Sequence, residues 1–367
     1  MKRTPLLLLT AVTLLVVSPL AAQTPYATVF YQDSSNHIHD ASSASDSDLT
    51  NLTGASAPAS GTPIVQYGTY VAYLNSGDLH VINLSGNTDT DRTSQTSATA
   101  AASNSHLTMF YNGSYPYIWY QDTNGYIEVI WQDGGGFHVS NISSSVSAPA
   151  AVSGTPLTSY KSGNDFYVDY LTSTGHVDVL YYDSGSWHYQ DLTSAASAPS
   201  AVTGSDLTSD RTTTNYIYYL DSSGNVIALY YSAGWHYTNL TSAASAPAAV
   251  SGSPLSAFTD ANQSVIYLDS SGNAQDLVYS AGWSVTNLTS VYSATAAESG
   301  SPMAFSTIFT GIGPYHYTDI YYVISGGDVE DIFHSDDPDV TSGSIDLTTL
   351  ASAATVGSGS ALAGPRN

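Results

Sequence analysis

The chain repeats itself, and the length of the repeat limits what it can fold into. Residues 234–255 read GWHYTNLTSAASAPAAVSGSPL, and nearly the same string, SWHYQDLTSAASAPSAVTGSDL, occupies residues 186–207. Aligning Asn239-Leu240-Thr241 along the sequence finds Asn51-Leu52-Thr53, Asn141-Ile142-Ser143, Asp191-Leu192-Thr193, Asn287-Leu288-Thr289 and Asp346-Leu347-Thr348, with a worn copy at Asp91-Arg92-Thr93. That makes about seven units, the clean ones spaced by roughly 50 residues, the length of a propeller blade and longer than most solenoid repeats.

Within a clean unit, NYIYYLDSSGNVIALYYSAGWHYTNLT contains three runs rich in aromatic and β-branched residues, 216–220, 226–231 and 235–240, which predict strands. The break DSSGN at 221–225 places Asp where its side chain folds back on the turn and Gly where a left-handed backbone is needed. The hairpin recurs at 269–273 and, altered, at 122–126 and 172–176. SAASAPAAVSG reads as a low-propensity connector, and a fourth short strand is expected near residues 254–258.

The first two runs are apolar on both faces: Ile217 and Tyr219 point one way, Tyr216, Tyr218 and Leu220 the other. Small antiparallel sheets buried on both faces suit blades packed between neighbours. The predicted fold is all-β, a seven-bladed β-propeller of four-stranded antiparallel blades. The chain is cut out of phase with its blades, so residues 357–364 are expected to pair with residues 26–32 and close the ring.

Residues 1–22 read as a secretory signal peptide: Lys2 and Arg3, an apolar run from Leu6 to Val17, then small residues around Ala21 and Ala22. Residues 23–367 are expected to form a single propeller domain of an exported protein, extracellular or periplasmic. With no cysteine, neither disulfides nor thiolate metal sites are available. Beyond the leader the basic residues are Arg92, Lys161, Arg211 and Arg366, against 30 Asp and Glu. Phosphate backbones and anionic membranes would be repelled, which argues against nucleic-acid and anionic-lipid partners.

The combined pattern of YYLDSSGN hairpin, GW and AP resembles the blade of the Aleuria-type fucose-specific lectins and their bacterial relatives, most strongly over residues 117–258. The resemblance implies six or seven blades and glycan binding in shallow sites between adjacent blades, with no catalysis, cofactor or required metal. In that family an Arg opens the second strand and a Glu follows in the third, and together they hold fucose. Here the Arg position reads Thr28, Tyr117, Tyr167, Tyr216, Ser264 and Asp319, and the Glu position Asp40, Val129, Val179, Ala228, Asp276 and Asp331. The fucose site is therefore expected to be degenerate. Glycans or glycoconjugates would instead be held by the aromatic faces of Trp131, Tyr182, Tyr231 and Tyr279, helped by Glu128, Asp178, Asp276 and Asp331.

Trp187, Trp235 and Trp283 recur at one blade position and read either as packing between blades or as ligand-stacking rings. His188 and His236 read as surface residues, because no second ligand lies at metal-like spacing. The acidic stretch 330–339 offers oxygen ligands for Ca²⁺ but lacks the glycine-punctuated loop of a calcium motif. DSGSW at 183–187 is one residue short of a sialidase Asp-box, no Gly-x-Ser-x-Gly elbow with a plausible triad is present, and no unrepeated carboxylate pair stands out for glycoside hydrolysis. The sequence thus favours a non-catalytic lectin-like propeller; a surface propeller that binds a cell-surface protein or is structural is the alternative, and a glycoside hydrolase a distant third.

Overall fold

The computed structural model describes residues 28–42, 44–113, 115–210, 215–259, 262–309, 316–335 and 342–364. The expected leader, residues 1–22, lies outside them. Among the described residues no helix is long and apolar enough to cross a membrane.

Seven four-stranded antiparallel sheets form a ring, a seven-bladed β-propeller. Blade one comprises Thr28–Gln32, Ile38–Ser42, Ser45–Asp48 and the distant Leu362–Ala363. Blades two to five span residues 64–91, 107–141, 157–191 and 207–239. Blade six is Leu255–Thr259, Gln263–Leu268, Ala274–Tyr279 and Trp283–Asn287; blade seven is Met303–Phe309, His316–Val323, Val329–Ser335 and Gly343–Asp346. The first strands stand side by side around a narrow axial channel of about 190 Å³.

The out-of-phase cut closes as expected. Phe30 pairs with Ala363 and Tyr31 with Leu362, the Gln32 amide donates to Ser360 Oγ at 2.9 Å, and the Gly357 amide donates to the Gln32 carbonyl at 2.7 Å.

The repeated triplet is a backbone device in which every letter has a job; in blade one the copy in register is Asp48-Leu49-Thr50, three residues before the aligned Asn51-Leu52-Thr53, with Asp48 as the cap, Leu49 buried, Thr50 accepting from the Ile38 amide and Leu52 exposed. Its Asn or Asp caps a short helix, accepting from the amide three residues on (Asn239 from Ser242, Asn287 from Ser290). Its Leu or Ile is buried at Leu192, Leu240 and Ile142. Its hydroxyl accepts from the first amide of the third strand: Thr241 from Val226, Thr289 from Ala274 and Ser143 from Ile127, each at 2.8–2.9 Å. The worn copy obeys the same rules, since Asp91 caps Ser94 and Thr93 accepts from Leu79, while Arg92 lies 3.7 Å over the Phe137 ring. The connector is thus not featureless. It opens with one helical turn, Leu240–Ala244 in blade five, which ends at Ser245 in the left-handed region; the Asn239 side chain, accepting from the Ser242 amide at 2.8 Å, outweighs the weak propensity of the run.

A second hydroxyl, just before the first strand, receives the last amide of the second strand: Ser205 from Leu220 and Ser253 from Leu268, both at 2.8 Å. The hairpin glycine is fixed by neighbouring backbone as well as by its own. Gly224 has φ +74°, and a Cβ there would lie 2.7 Å from the Ala249 carbonyl, while the Ala249 amide donates to the Gly224 carbonyl. That contact binds each hairpin to the connector leading to the next blade.

The core lies between blades rather than within them. Seven apolar clusters each join residues of two neighbouring blades, so both faces of every sheet are covered. Trp119, Tyr120, Tyr170, Tyr219 and Tyr267 have less than 2 % of their surface exposed, and each removes roughly 150–250 Å² from water. The four tyrosines aim their hydroxyls at the preceding connector, donating to the carbonyls of Thr99, Pro149, Pro199 and Pro247 at 2.6–3.0 Å. This satisfies the polar tip that makes a buried tyrosine costly.

Candidate functional site

The seven gaps where one blade faces the next differ in what lines them. On the third strand, the third residue from its start faces the following blade, and its diagonal neighbour on the second strand shares that face. In blades two to five these pairs are Tyr70 with Val81, Tyr117 with Val129, Tyr167 with Val179 and Tyr216 with Ala228. In blades six, seven and one they are Ser264 with Asp276, Asp319 with Asp331 and Thr28 with Asp40. Four consecutive gaps are filled by phenol and alkyl groups; the other three carry carboxyls. Two buried acids lie at neighbouring positions in the apolar half: Asp169, fully buried and facing blade five from blade four, and Asp210, paired with Tyr216 and accepting from Thr259 of blade six.

Burial governs the acids of the carboxyl half. It pushes Asp276 up to about 7, partly offset by the Ser264 hydroxyl. It raises Asp319 to about 7, with the Tyr321 hydroxyl opposing. Asp40 rises to about 6 through burial and the nearby Asp46 charge. Asp331 is driven well above the carboxylate range by burial, by Asp319 and by Glu330. An unpaired carboxyl taken out of water holds its proton because the charged form loses most solvation.

One of these gaps opens into a cavity. Between blades six and seven a space of about 320 Å³ is lined by Phe258, Asn262, Ser264, Asp276, Tyr292, Thr318 and His334, over an apolar floor that includes Leu288, Ile320 and Ile332. Asp276 Oδ1 is buried and has no hydrogen-bond partner. At the rim, His334 Nδ1 lies 3.0 Å from the Tyr292 hydroxyl and 3.2 Å from Ser342 Oγ. Two ring faces, one acceptor without a partner and several hydroxyl or amide groups line this concavity.

The residues singled out from sequence spread over several gaps. Asp276 lines the cavity just described. Trp131, Tyr182 and Trp187 share the gap between blades three and four, where Trp187 meets buried Trp119 edge-on at 5.5 Å and Trp131 stacks on Tyr117 at 5.7 Å. Tyr231 and Trp235 face each other across the outer hairpin of blade five at 5.7 Å, and Tyr279 and Trp283 across that of blade six at 5.3 Å. Tyr231 and Tyr279 are about half exposed, at 51 % and 46 %; the three tryptophans pack with their inner edges on the inter-blade clusters. Glu128, Asp178 and Asp331 are buried. Glu128 accepts from the Tyr120 hydroxyl at 2.7 Å and from Asn141, and Asp178, held near 7 by burial, sits beside the Tyr189 and Tyr170 hydroxyls.

His188 and His236 are exposed on the outer strands. Of the acidic stretch, residues 336–339 lie outside the described residues, and Glu330 accepts from the Thr295 amide at 3.1 Å. Among the described residues no group of three or more His, Asp or Glu converges as a metal site would require. Phe258, Asn262, Tyr292, Thr318 and His334 escape sequence reasoning because they come from two blades and a helix end; the signal available was the loss of aliphatic character at Asp276.

No protein-family model matches the sequence, and no curated protein matches it. Solved structures do share the fold. The BP39L lectin of Burkholderia pseudomallei superposes with a TM-score of 0.62 over 86% of this chain and 94% of its own, at 14% identity. The Aleuria aurantia lectin in complex with alpha-methyl-L-fucoside gives 0.51 over 67% of this chain and 80% of its own, at 17% identity. AofleA from Arthrobotrys oligospora, as a triple mutant, gives 0.51 over 72% and 83%, at 14% identity. The structural neighbours are thus lectin propellers.

Proposed function

We propose that this protein is an exported, non-catalytic glycan-binding propeller whose principal site is the cavity between blades six and seven. The observation that carries the proposal is the pairing there of aromatic faces, Phe258 and Tyr292, with a buried acid and neutral polar groups between two adjacent blades. An aromatic ring covers the C–H face of a sugar while hydroxyls remain free for polar partners. A carboxyl poised near 7, as Asp276 is, offers acceptors in one state and a donor in the other. The likeness to lectin propellers supports the reading, and export rests on the leader at residues 1–22.

The Tyr231–Trp235 and Tyr279–Trp283 pairs supply further exposed rings on neighbouring blades, so weak single contacts add up on a multivalent surface. The family's Arg position holds Ser264 here, and free fucose binds weakly or undetectably. A glycan array on the purified protein, repeated with Asp276→Asn and Tyr292→Ala, tests the proposal. Selective binding that the cavity variants lose is the expected result; an array without hits, or hits untouched by both variants, rejects the site. Titration calorimetry with fucose checks the second point, and a micromolar constant contradicts it.

A further inference from the structure

Resting on the glycan-binding reading above, we propose that the cavity between blades six and seven is selective for amino sugars, rings that carry a free ammonium group.

The first argument is the balance of donors and acceptors. A guanidinium brings five N–H donors and suits a ligand that presents oxygen acceptors. Its position in this gap is Ser264, and among the described residues no Lys or Arg lines the cavity. What the wall offers instead is Asp276, whose Oδ1 is buried without a partner. A buried acceptor left unsatisfied costs free energy that a ligand donor recovers, and a charged donor recovers most. A neutral hydroxyl would fill the place, but only an ammonium also neutralises the carboxylate.

The second argument concerns what else faces that carboxyl. From blade six it is Ser264; from blade seven, Thr318 and His334; from the helix end, Tyr292; and Asn262 lies at the mouth. Among the described lining residues the other titratable groups are Tyr292 and His334. The Tyr292 and Ser342 hydroxyls both lie within hydrogen-bond distance of His334 Nδ1, at 3.0 and 3.2 Å. Among the described residues that line the cavity there is no Lys or Arg to oppose a cation. Phe258 and Tyr292 add ring faces, which attract cations as well as sugar C–H groups.

The third argument is the long-range field. With 30 Asp and Glu against 6 Lys and Arg, the chain has a formal net charge of −24. Such a field concentrates cationic ligands near the surface and speeds their association. A cavity of about 320 Å³ is at the small end of small-molecule sites, room for one sugar ring and too little for an extended basic peptide.

Titration calorimetry at pH 7.5 with three tetrasaccharide probes tests this: a glucosamine oligomer, its fully N-acetylated counterpart and a neutral glucose oligomer. The glucosamine oligomer is expected to bind about tenfold tighter than either of the others. Asp276→Asn, confirmed as folded by its melting curve, is expected to remove that advantage while leaving the N-acetylated probe within about twofold. Asp183→Asn, on an exposed strand end, is expected to change none of the three. For the unaltered protein, lowering the pH to 5.5 weakens the amine probe about tenfold and spares the neutral one, which keeps the test independent of any variant. Equal affinity for amine and acetamide, an amine preference that survives Asp276→Asn, or an equal loss with Asp183→Asn each overturns the inference; in those cases glycan binding itself stands. Binding of a lysine peptide that competes for the same cavity also overturns it. If no glycan binds on the array, the reading beneath fails instead.

Discussion

The gap between blades three and four and the gap between blades seven and one have the same backbone and opposite contents. The first holds Phe110, Trp119, Phe166 and Leu180, with Tyr117 and Trp131 stacked at its edge. The second holds Val29, Tyr31, Tyr321 and Val323 around the buried acids Asp319 and Asp331, whose Oδ1 atoms find no hydrogen-bond partner. The frame of hydroxyls and caps is the same in both, so it leaves the filling free. What fills a gap decides whether it is only structural or also responds to protons and ligands.

The largest effect is expected where the carboxyl half contains the seam. Deleting residues after Val356 removes Leu362–Ala363 from blade one and exposes an edge; the Tm should fall by roughly 10 °C or more. Hydrogen exchange should show protection lost first in blades one and seven, with blades three and four last. An unchanged Tm would mean that the ring does not depend on its seam.

Next in size is the apolar half itself. Trp119→Ala removes the largest fully buried side chain and should cost about 3–5 kcal/mol by chemical denaturation. Asp331→Asn, equally buried but nearly isosteric and already favouring its neutral form, should cost far less at pH 7 and add stability at pH 8. If the two variants destabilise equally, the difference between the gaps is not energetic.

The pH dependence sets the buried acids of both halves against the acids that cap the short helices. Asp40, Asp276 and Asp319 in the carboxyl half and Asp178 in the apolar half have folded values of about 6 to 7, above the ordinary unfolded value of about 3.9. The folded state therefore takes up protons more readily, and these groups add stability as pH falls from about 8 through their folded values, in full below about 4. Asp48 and Asp191 run the other way. Burial raises each, but the amides of Asn51 and Ser194 and the neighbours His37 and His176 outweigh it and hold both below the usual carboxylate value; their contribution is lost as pH falls below about 4. The Tm should thus rise by several degrees, roughly, from pH 8 to pH 5 and turn down in stronger acid. The triple variant Asp276→Asn, Asp319→Asn, Asp331→Asn should flatten the rise; a Tm that drops steeply below pH 5 in the unaltered protein would contradict the whole scheme.

The smallest effect probes the sameness of the frame. Asn239→Ala in blade five and Asn287→Ala in blade six each remove one cap and should each cost about 1 kcal/mol. Unequal losses would show that the frame, too, differs between the halves.

Much of this ring is legible in the sequence because the frame is written in repeated letters. The spacing of Asn239-Leu240-Thr241 and its copies marks the blades, and the doubly apolar run 216–220 marks sheets covered on both faces. The helical turn at Leu240–Ala244 is hidden by weak propensity, although Asn239 and Ser242 were its cap in plain view. The cavity is less legible. Asp276 stands out from Val129 and Val179 at the same blade position, but Tyr292 and His334 reach it only after a helix end and the next blade are brought together, which no local pattern encodes. Burial was equally invisible: Glu128 and Asp276 look alike as carboxylates, yet one accepts from Tyr120 and Asn141 and the other faces open space.

Thr241, Ser253 and their counterparts hold main-chain amides rather than particular neighbours. A mutation in a facing side chain therefore leaves those bonds untouched, and a blade can acquire a new lining without renegotiating its scaffold. The main-chain frame is accordingly repeated seven times, and a change of lining in one gap is felt in the apolar cluster of that gap and not in the hydroxyl-to-amide bonds that shape the blade.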